Sequence, residues 1–352
     1  MNKKLLFVNQ QQFGYHISYV QYCKYLKNDF KITYLCWDYN RKKLVEDGIE
    51  IVYISRHGNK MDRNIRFIKA VASHIRRNNF SQVFINYFRG CSIIPILFNH
   101  KQRIHLHIVS GCVSFNSINR LIFNGVLKLE TIFFRRRSII SKGLRDLYRL
   151  GKKTFILPLG ASPIYVNRKP TNKINLLYIG TFATRRLEET IEGLGIFVKQ
   201  NPEAKIQYTI IGNGWRNEID LIKEKIEEFG LENKVDLMGY IPFSELTQFI
   251  EDANFGVSYV PITAFYEYQP VTKTFEYLMS GLPVIATDTF ENRQIINSQN
   301  GILIKDNPQA FALSLSQIYS EKRTFNETTI RNSVADYEWK KIVTNMKNTI
   351  LS

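Results

Sequence analysis

The sequence predicts an α/β protein with two Rossmann-like, doubly wound domains of similar size that face each other across a cleft. The first reason is that short apolar runs alternate with helical segments along all 352 residues, which is typical of parallel sheets. The second is that this alternation stops at a polar stretch with two prolines, residues 162–173, and then restarts. The third is composition, because 44% hydrophobic residues are enough for two cores of ordinary domain size.

In the first half of the chain, apolar runs of strand length recur between helical segments. Strands are predicted at 3–9, 30–38, 49–55, 80–88, 103–111, 137–143 and 153–162. A helical pattern follows Gly14, and residues 64–79 carry apolar side chains at the spacing of a helix. We therefore expect a first domain over residues 1–165.

The second half repeats the arrangement after the polar linker. Strands are predicted at 174–180, 205–214, 233–240, 254–261 and 300–304, with another buried strand after Gly281. Helices are predicted at 185–201 and 217–230. We expect a second, ligand-binding domain over residues 166–330 and a helix within 331–352 that crosses back to the first domain.

The positive charge of the chain is concentrated in its first half. Residues 1–165 hold 28 Lys and Arg against 8 Asp and Glu, an excess of 20, whereas the remainder has a net charge of −3. Such a half attracts anionic surfaces, whether phospholipid, polyphosphate or nucleic acid. The stretch 119–137 mixes apolar residues with a terminal arginine cluster and suits an anionic membrane surface, although it also fits an ordinary helix with solvated arginines. No recognisable motif for nucleic acid accompanies the charge, so that partner is not expected.

The cysteines and the N-terminus bear on the compartment. Cys23, Cys36, Cys91 and Cys112 show neither close pairing nor metal-site spacing, and we expect buried thiols in a reducing compartment. The apolar run at residues 5–8 is too short for a signal peptide, and no window approaches the ~18 apolar residues of a membrane span. These features predict a cytoplasmic protein, with peripheral attachment to the inner face of the plasma membrane as an extension of that prediction.

The stretch "PVTKTFEYLMSGLPVIATD", residues 270–288, carries unusual charge at the start of a predicted helix. Thr272 is expected to cap this helix, with Lys273 in its first turn and Glu276 one turn further on. A helix N-terminus attracts anions, and a carboxylate accepts hydrogen bonds from ribose hydroxyls. Lys273 and Glu276 therefore suggest a phosphate beside a ribose, or else they form a solvated pair on an amphipathic helix.

Other predicted strand ends of the second half add glycines or cations. Gly180 is followed by Arg185 and Arg186, while Gly212 and Gly239 end the next two predicted strands. Ligands of doubly wound sheets bind outside the carboxyl ends of the strands. Each feature is common in the turns of many proteins when taken alone, but together they favour a nucleotide site.

Several of these motifs also carry a family resemblance. The order "LLYIGT…RR", "TIIGNG", "VDLMGYIPFSEL", "ANFGVSYVP" and "KTFEYLMSGLPVIATD" resembles the donor-binding half of GT-B glycosyltransferases, in particular glycosyltransferase family 4, over residues 174–305. The first half is similar only in layout, through Gly14 after the first strand and "FILPLGAS" before the linker. "YEWKKI" near the C-terminus is similar to the crossing helix that closes this fold.

The resemblance implies a retaining transfer of sugar from a UDP- or GDP-linked donor to a glycan or lipid-diphosphate-linked acceptor, in synthesis of a surface polysaccharide or glycoconjugate. Glu276 would hold the ribose, and Lys273 with Arg185 or Arg186 would face the diphosphate. The remaining substrate-binding positions would be Thr272, Gly14, Gly180, Gly212, Gly239 and Tyr240. No Asp-x-Asp motif stands out, so neither a metal nor a further cofactor is expected.

The chain departs from the family pattern at the first glutamate of its paired motif. The expected position holds Tyr268, and Glu267 lies one residue away, so either Glu267 takes the catalytic role or the role is absent. His107, or alternatively His105, matches a catalytic-site histidine of the family, and a structural histidine in the core is the other interpretation. Rival functions are a sugar-nucleotide epimerase on the same fold and a degenerate homologue that binds a nucleotide sugar or stabilises a partner without catalysis.

Overall fold

The protein divides into two compact units. The computed structural model describes residues 3–98, 103–168, 171–321 and 324–352. Unit 1 comprises Met1–Leu159 with Trp339–Ser352, and unit 2 comprises Gly160–Glu338. Each unit is an α/β fold with its own parallel sheet, so the predicted α/β class is confirmed.

Unit 1 contains a seven-stranded parallel sheet in the order β3-β2-β1-β4-β5-β6-β7. Its strands are β1 Lys3–Val8, β2 Phe30–Asp38, β3 Ile49–Ser55, β4 Gln82–Asn86, β5 Ile104–Ile108, β6 Arg136–Ile139 and β7 Phe155–Ile156. Its helices are α1 Ile17–Leu26, α2 Lys60–Arg77, α3 Ile93–Leu97, α4 Ser117–Thr131, α5 Lys142–Leu147 and, at the C-terminus, α13 Trp339–Thr349. The last strand is far shorter than the predicted 153–162, because Pro158 has no N–H to donate to a ladder.

Helices cover both faces of this sheet. α1 packs against α13 on one face, and the ring of Trp339 lies edge-on to Tyr22 with centroids 5.9 Å apart. Right-handed crossovers place α2, α3 and α4 on the opposite face. β1 lies between β2 and β4 and is fully buried from Leu5 to Val8. This burial explains its unbroken apolar run, since a central parallel strand contacts apolar layers on both sides.

Unit 2 contains a six-stranded parallel sheet in the order β10-β9-β8-β11-β12-β13. Its strands are β8 Ile174–Thr181, β9 Ile206–Asn213, β10 Val235–Gly239, β11 Phe255–Ser258, β12 Val284–Thr287 and β13 Gly301–Ile304. Its helices are α6 Glu188–Gln200, α7 Arg216–Glu228, α8 Thr247–Asp252, α9 Thr272–Met279, α10 Phe290–Arg293, α11 Pro308–Glu321 and α12 Glu327–Ser333. Short 3-10 turns occupy Phe243–Glu245 and Ala335–Tyr337.

The helix predicted from the stretch 270–288 is α9, and it lies closely on the sheet of unit 2. A Cβ added to Gly256 on β11 would be 2.5 Å from Cδ2 of Tyr277, so only glycine permits this approach of strand and helix. The Tyr277 hydroxyl accepts the Ile179 N–H of β8 at 2.7 Å. The Ser258 and Thr274 hydroxyls form a buried hydrogen bond of 2.7 Å. These contacts fix the first turn of α9 beside the carboxyl ends of β8 and β11.

Candidate functional site

The predicted site residues of unit 2 lie at the ends of its strands, in the turns that follow them and in α9. All strands of this sheet run parallel, so their carboxyl ends share one edge, where ligands of such sheets bind. Gly180, Gly212 and Gly239 lie among the last residues of β8, β9 and β10. The other predicted residues lie in the turns after β8, β10 and β11 and in α9. The turn after β13 adds Asp306. We call this set of turns the carboxyl edge of unit 2.

The turn between β8 and α6 has an unusual backbone. Thr184 and Arg186 have positive φ values of 61° and 55°, a conformation that non-glycine residues seldom adopt. The Thr184 hydroxyl is 2.6 Å from the Tyr266 hydroxyl of the loop after β11. The backbone N–H of Phe182 donates to the Asn213 carbonyl at the end of β9. The turn is therefore held from two neighbouring strand ends, which sustains its backbone conformation.

Glu218, near the start of α7, joins this turn to the end of β9. One oxygen of its carboxylate accepts the Thr184 N–H at 2.7 Å, and the other accepts the Trp215 N–H at 2.9 Å. Charge-assisted hydrogen bonds of this kind are stronger than neutral ones. Glu218 thus positions the turn that carries Arg185 and Arg186.

Replacement of Glu218 by alanine is expected to loosen the turn between β8 and α6 that carries Arg185 and Arg186, which we call the arginine turn. Two backbone N–H groups lose their carboxylate acceptor, so the free energy of unfolding should fall by about 1–3 kcal/mol. Donor affinity should also fall, because the arginines lose their fixed position. Glu218→Gln keeps one acceptor oxygen, so its stability and donor affinity should lie between those of the wild type and Glu218→Ala. Urea unfolding and ligand-induced thermal shifts measure both effects, and an unchanged affinity in Glu218→Ala would remove the positioning role.

Arg186 meets carboxylates on two sides. Its guanidinium forms an ion pair with Glu189 of α6 and lies 4.0 Å from the Asp306 carboxylate. The other Glu189 oxygen accepts the Tyr259 hydroxyl at 2.5 Å. Burial raises the pKa of Glu189, while the Tyr259 hydrogen bond and Arg186 act in the opposite direction. Arg186 is therefore oriented by a carboxylate that is itself anchored by Tyr259, the residue after β11.

Arg185 has a different environment. Its guanidinium lies over the ring of Tyr266, 4.7 Å from the centroid, a cation–π arrangement that leaves the N–H edges available. The Tyr266 ring in turn packs on Phe265 within a small apolar cluster. Arg185 is thus supported from the loop that also carries Glu267.

The first turn of α9 differs by one residue from the prediction. Val271 is the N-cap, with extended φ and ψ of −95° and 115°, and no side chain caps the helix. The Thr272 cap is therefore wrong, because Thr272 already occupies the first helical position and the Val271 carbonyl accepts the Thr274 N–H at 3.1 Å. An uncapped start keeps its first N–H groups available to an anion.

Lys273 and Glu276 form an ion pair with each other, which is the arrangement that the sequence left open as an alternative. Their side chains are 26% and 24% exposed. A pair at this spacing contributes only about 0.5 kcal/mol, so a ligand that contacts both groups separately can replace it at small cost. The pair thus fits the nucleotide interpretation as well as the solvated one.

Glu267 and Tyr268 point to different partners. One carboxylate oxygen of Glu267 lies 3.5 Å from the Arg293 guanidinium, and the other is buried with no hydrogen-bond partner among the described residues. The Tyr268 ring packs on Phe290 with centroids 5.2 Å apart. This second oxygen of Glu267 can still accept a hydrogen bond from a ligand.

Two exposed aromatic rings follow adjacent strands of the same sheet. Trp215, after β9, is 71% exposed, and Tyr240, directly after Gly239 of β10, is 75% exposed. Gly239 and Gly212 both have positive φ. Rings beside glycine turns suit a flat ligand, because aromatic faces stack on planar groups.

The two predicted residues of unit 1 lie in different surroundings. Gly14, in the turn between β1 and α1, has a φ of 93°, which favours glycine. His107 is buried in the core, 1% exposed, and its Nδ1 lies 2.9 Å from the Ser138 hydroxyl. His105 contacts the same hydroxyl at 2.8 Å. Burial and the shared contact with Ser138 are what the structural alternative expects of both histidines.

Burial of His107 gives unit 1 a dependence on pH. It lowers the pKa of His107 to about 3, so this imidazole stays neutral in the folded protein above about pH 3. In the unfolded chain the same imidazole binds a proton below about pH 6.5. The free energy of unfolding should therefore fall as pH drops from about 6.5 to about 3, by up to about 1.4 kcal/mol per pH unit. His107→Gln should make this loss less steep in urea unfolding across that range, and an unchanged slope would contradict it.

Several residues of this edge escaped the sequence-based prediction. Glu218, Tyr266, Glu189 and Asp306 all contact the arginine turn or its supports. Asp306 could have been found by the strand-end rule, since it follows β13 by two residues. The Glu218 role depends on a contact between residues 34 positions apart and has no local signal.

In residues 3–98, 103–168, 171–321 and 324–352, no three His, Cys, Asp or Glu side chains are grouped so as to hold a metal ion. No helix in those ranges is long and apolar enough to span a membrane. Cys23, Cys36 and Cys91 are buried and Cys112 is half-buried, all as free thiols.

Comparisons with known proteins address the same half of the chain. Residues 173–321 match the family model of glycosyl transferases group 1. The matched segment includes the whole carboxyl edge of unit 2, from the arginine turn to Asp306. No curated protein sequence is similar enough to the chain to count as a match.

Solved structures extend the likeness to both units. Sucrose-phosphate synthase from Thermosynechococcus elongatus is 18% identical, with a TM-score of 0.76 over 99% of this chain and 98% of that one. HepE from Anabaena, in complex with UDP and glucose, is 16% identical, with a TM-score of 0.76 over 99% and 100%. The lipopolysaccharide outer core galactosyltransferase WaaB is 16% identical, with a TM-score of 0.70 over 99% of each chain. The predicted GT-B fold is thereby confirmed, and the match to the group 1 family model supports a glycosyltransferase.

Proposed function

We propose that the protein is a retaining glycosyltransferase that moves a sugar from a UDP- or GDP-linked donor to a glycan or lipid-linked acceptor. The observation that carries the proposal is the carboxyl edge of unit 2. There, the arginine turn, the uncapped start of α9 and the Lys273–Glu276 pair surround the ends of adjacent strands. Cations, free N–H groups and a carboxylate together match a diphosphate beside a ribose.

Binding of the donor would replace the Lys273–Glu276 ion pair with two separate contacts. The Lys273 ammonium would move to the diphosphate, and the Glu276 carboxylate would accept the ribose hydroxyls. Trp215 or Tyr240 would lie against the nucleobase. The solved neighbour that holds UDP supports a uridine donor in particular.

Transfer breaks the bond between the anomeric carbon and the diphosphate oxygen and forms a bond from that carbon to the acceptor oxygen on the same face. The acceptor hydroxyl loses its proton to the departing diphosphate, so the products are a glycoside and a nucleoside diphosphate. Negative charge grows on the diphosphate as the bond breaks. Lys273, Arg185 and Arg186 stabilise that charge, which makes a metal ion unnecessary in this mechanism.

The acceptor would bind unit 1. Its basic character suits a lipid-diphosphate-linked glycan at the inner face of the plasma membrane, in synthesis of a surface polysaccharide or glycoconjugate. A non-catalytic nucleotide-sugar-binding protein is the second candidate, since Tyr268 replaces the glutamate of the family motif.

A panel of nucleotide sugars tests the donor first. The correct donor should stabilise the protein by about 2.7 kcal/mol at a concentration 100 times its Kd, measured by thermal shift. Release of the nucleoside diphosphate in the presence of EDTA, with NMR of the product anomer, then tests transfer, retention and metal independence. Donor binding without turnover on any acceptor or water would favour the non-catalytic candidate, and no binding at all would overturn both.

A further inference from the structure

Helix α4 of unit 1 turns an apolar face towards solvent. The residues of this face recur at helical spacing and continue past the end of the helix. We call them the apolar stripe: Ile118, Leu121, Ile122, Leu129, Ile132 and Phe133. Their exposed fractions range from 42% at Phe133 to 76% at Leu121. Single exposed apolar residues are ordinary, but six along one side of α4 and the turn after it, interrupted at Gly125, mark an interaction surface.

The opposite face of α4 is fixed to unit 1, so the stripe cannot turn inward. Leu127 is fully buried. The buried Glu130 carboxylate accepts hydrogen bonds from the Tyr87 hydroxyl at 2.8 Å, the Gly90 N–H at 2.7 Å and the Ser92 hydroxyl at 3.0 Å. These bonds lock the rotation of the helix about its axis. The outward direction of the stripe is thus a fixed property of the fold.

Charge determines which occupant the stripe suits. Lys128 lies beside the stripe on α4, and Arg135 follows its end, both exposed. They belong to the half of the chain that carries an excess of 20 positive charges. Contact between two such halves would bring like charges together, which disfavours a second copy of this chain. An anionic bilayer accepts both the apolar row and the cations that border it.

We propose that α4 lies in the plane of an anionic phospholipid bilayer, with the apolar stripe in the acyl boundary and Lys128 and Arg135 at the headgroups. This surface deepens the proposed function, since it would bring unit 1 to a lipid-linked acceptor. Vesicle binding itself does not depend on sugar transfer. The two proposals can therefore fail separately.

The test is vesicle flotation of the full chain with phosphatidylcholine alone and with phosphatidylcholine mixed with phosphatidylglycerol. The variant Leu121→Glu/Ile122→Glu places two charges in the stripe. Its control, Val45→Glu/Leu313→Glu, makes the same charge change at residues that are 91% and 61% exposed elsewhere. Thermal unfolding of both variants checks that the fold is kept.

The wild type and the control should bind the phosphatidylglycerol vesicles, and the stripe variant should bind more than about tenfold less tightly. Lys128→Glu/Arg135→Glu should weaken binding to those vesicles, and added salt should do the same. Equal binding of stripe variant and control would overturn the proposal. So would a wild-type dimer, seen by light scattering, that only the stripe variant dissociates, because the occupant would then be a second copy.

The results of these experiments also distinguish failure of the membrane proposal from failure of the proposed transferase function. Loss of vesicle binding in the stripe variant, with no nucleotide sugar bound by the wild type, would keep the membrane surface and remove the transferase. Donor turnover on a soluble acceptor without vesicle binding would do the reverse.

Discussion

Replacement of Lys273 by alanine is expected to lower kcat about 10²- to 10³-fold, the usual effect of removing one group that stabilises transition-state charge. Lys273 lies in the first turn of α9, where no side chain caps the helix, and its side chain is 26% exposed. The free energy of unfolding should change by only about 0.5 kcal/mol, because the pair with Glu276 is a single i,i+3 contact. Steady-state turnover and urea unfolding measure the two quantities.

The chain offers a matched control for this variant. Lys225 on α7 forms an i,i+3 pair with Glu228, and its side chain is 27% exposed. It also lies 3.9 Å from Glu192 of α6, so Lys225→Ala should cost at least as much stability while leaving turnover unchanged. If Lys273→Ala and Lys225→Ala showed equal kcat, Lys273 would have no part in the reaction and its pair with Glu276 would be only a surface contact.

The largest structural effect is expected for Gly212→Ala at the end of β9. A Cβ at this position would lie 1.7 Å from the Gly180 carbonyl oxygen of β8, and the backbone φ is 152°. Neither strand can move away, because Gly180 and Gly212 are register partners in the sheet. The free energy of unfolding should fall by about 3 kcal/mol, the upper end of ordinary overpacking costs. Donor binding should decline with it, because the added Cβ would displace Gly180 at the end of β8, the strand that the arginine turn follows.

Gly230→Ala is a control that measures the cost of a positive φ without the steric clash expected in Gly212→Ala. Gly230 follows α7 with a φ of 60°, and a Cβ there would have nothing within 4 Å. This variant should lose only about 1 kcal/mol, the cost of the left-handed conformation. Thermal and urea unfolding of both variants provide the comparison, and similar losses would show that β8 and β9 can separate without penalty.

The fold could be predicted from the sequence because its signals are local. Buried parallel strands appear as short apolar runs, and their order along the chain follows from the alternation with helices. The first and last residues of β2 and β3 match the predicted strands at 30–38 and 49–55. The predicted strand at 153–162 was too long, since apolar character alone does not show that Pro158 lacks a donor.

The candidate site was less accessible to prediction. Strand-end glycines and cations indicated the carboxyl edge of unit 2, because backbone direction alone places those ends together. The same pattern could not distinguish His107 in a core from His107 at a surface. A strand covered on both faces shows no alternation between buried and exposed positions, and β5 is buried along its whole length.

The sequence alone determined the two α/β halves, the edge at which a ligand would bind and the types of side chain available there. Only the tertiary structure decided which partners those side chains meet. Glu218 reaches the arginine turn from α7, and the Glu130 bonds orient α4 so that its apolar stripe faces outward. The physical reason is range: periodicity records a burial pattern along neighbouring residues, whereas a hydrogen bond or an ion pair depends on atoms that the folded chain brings together from distant positions.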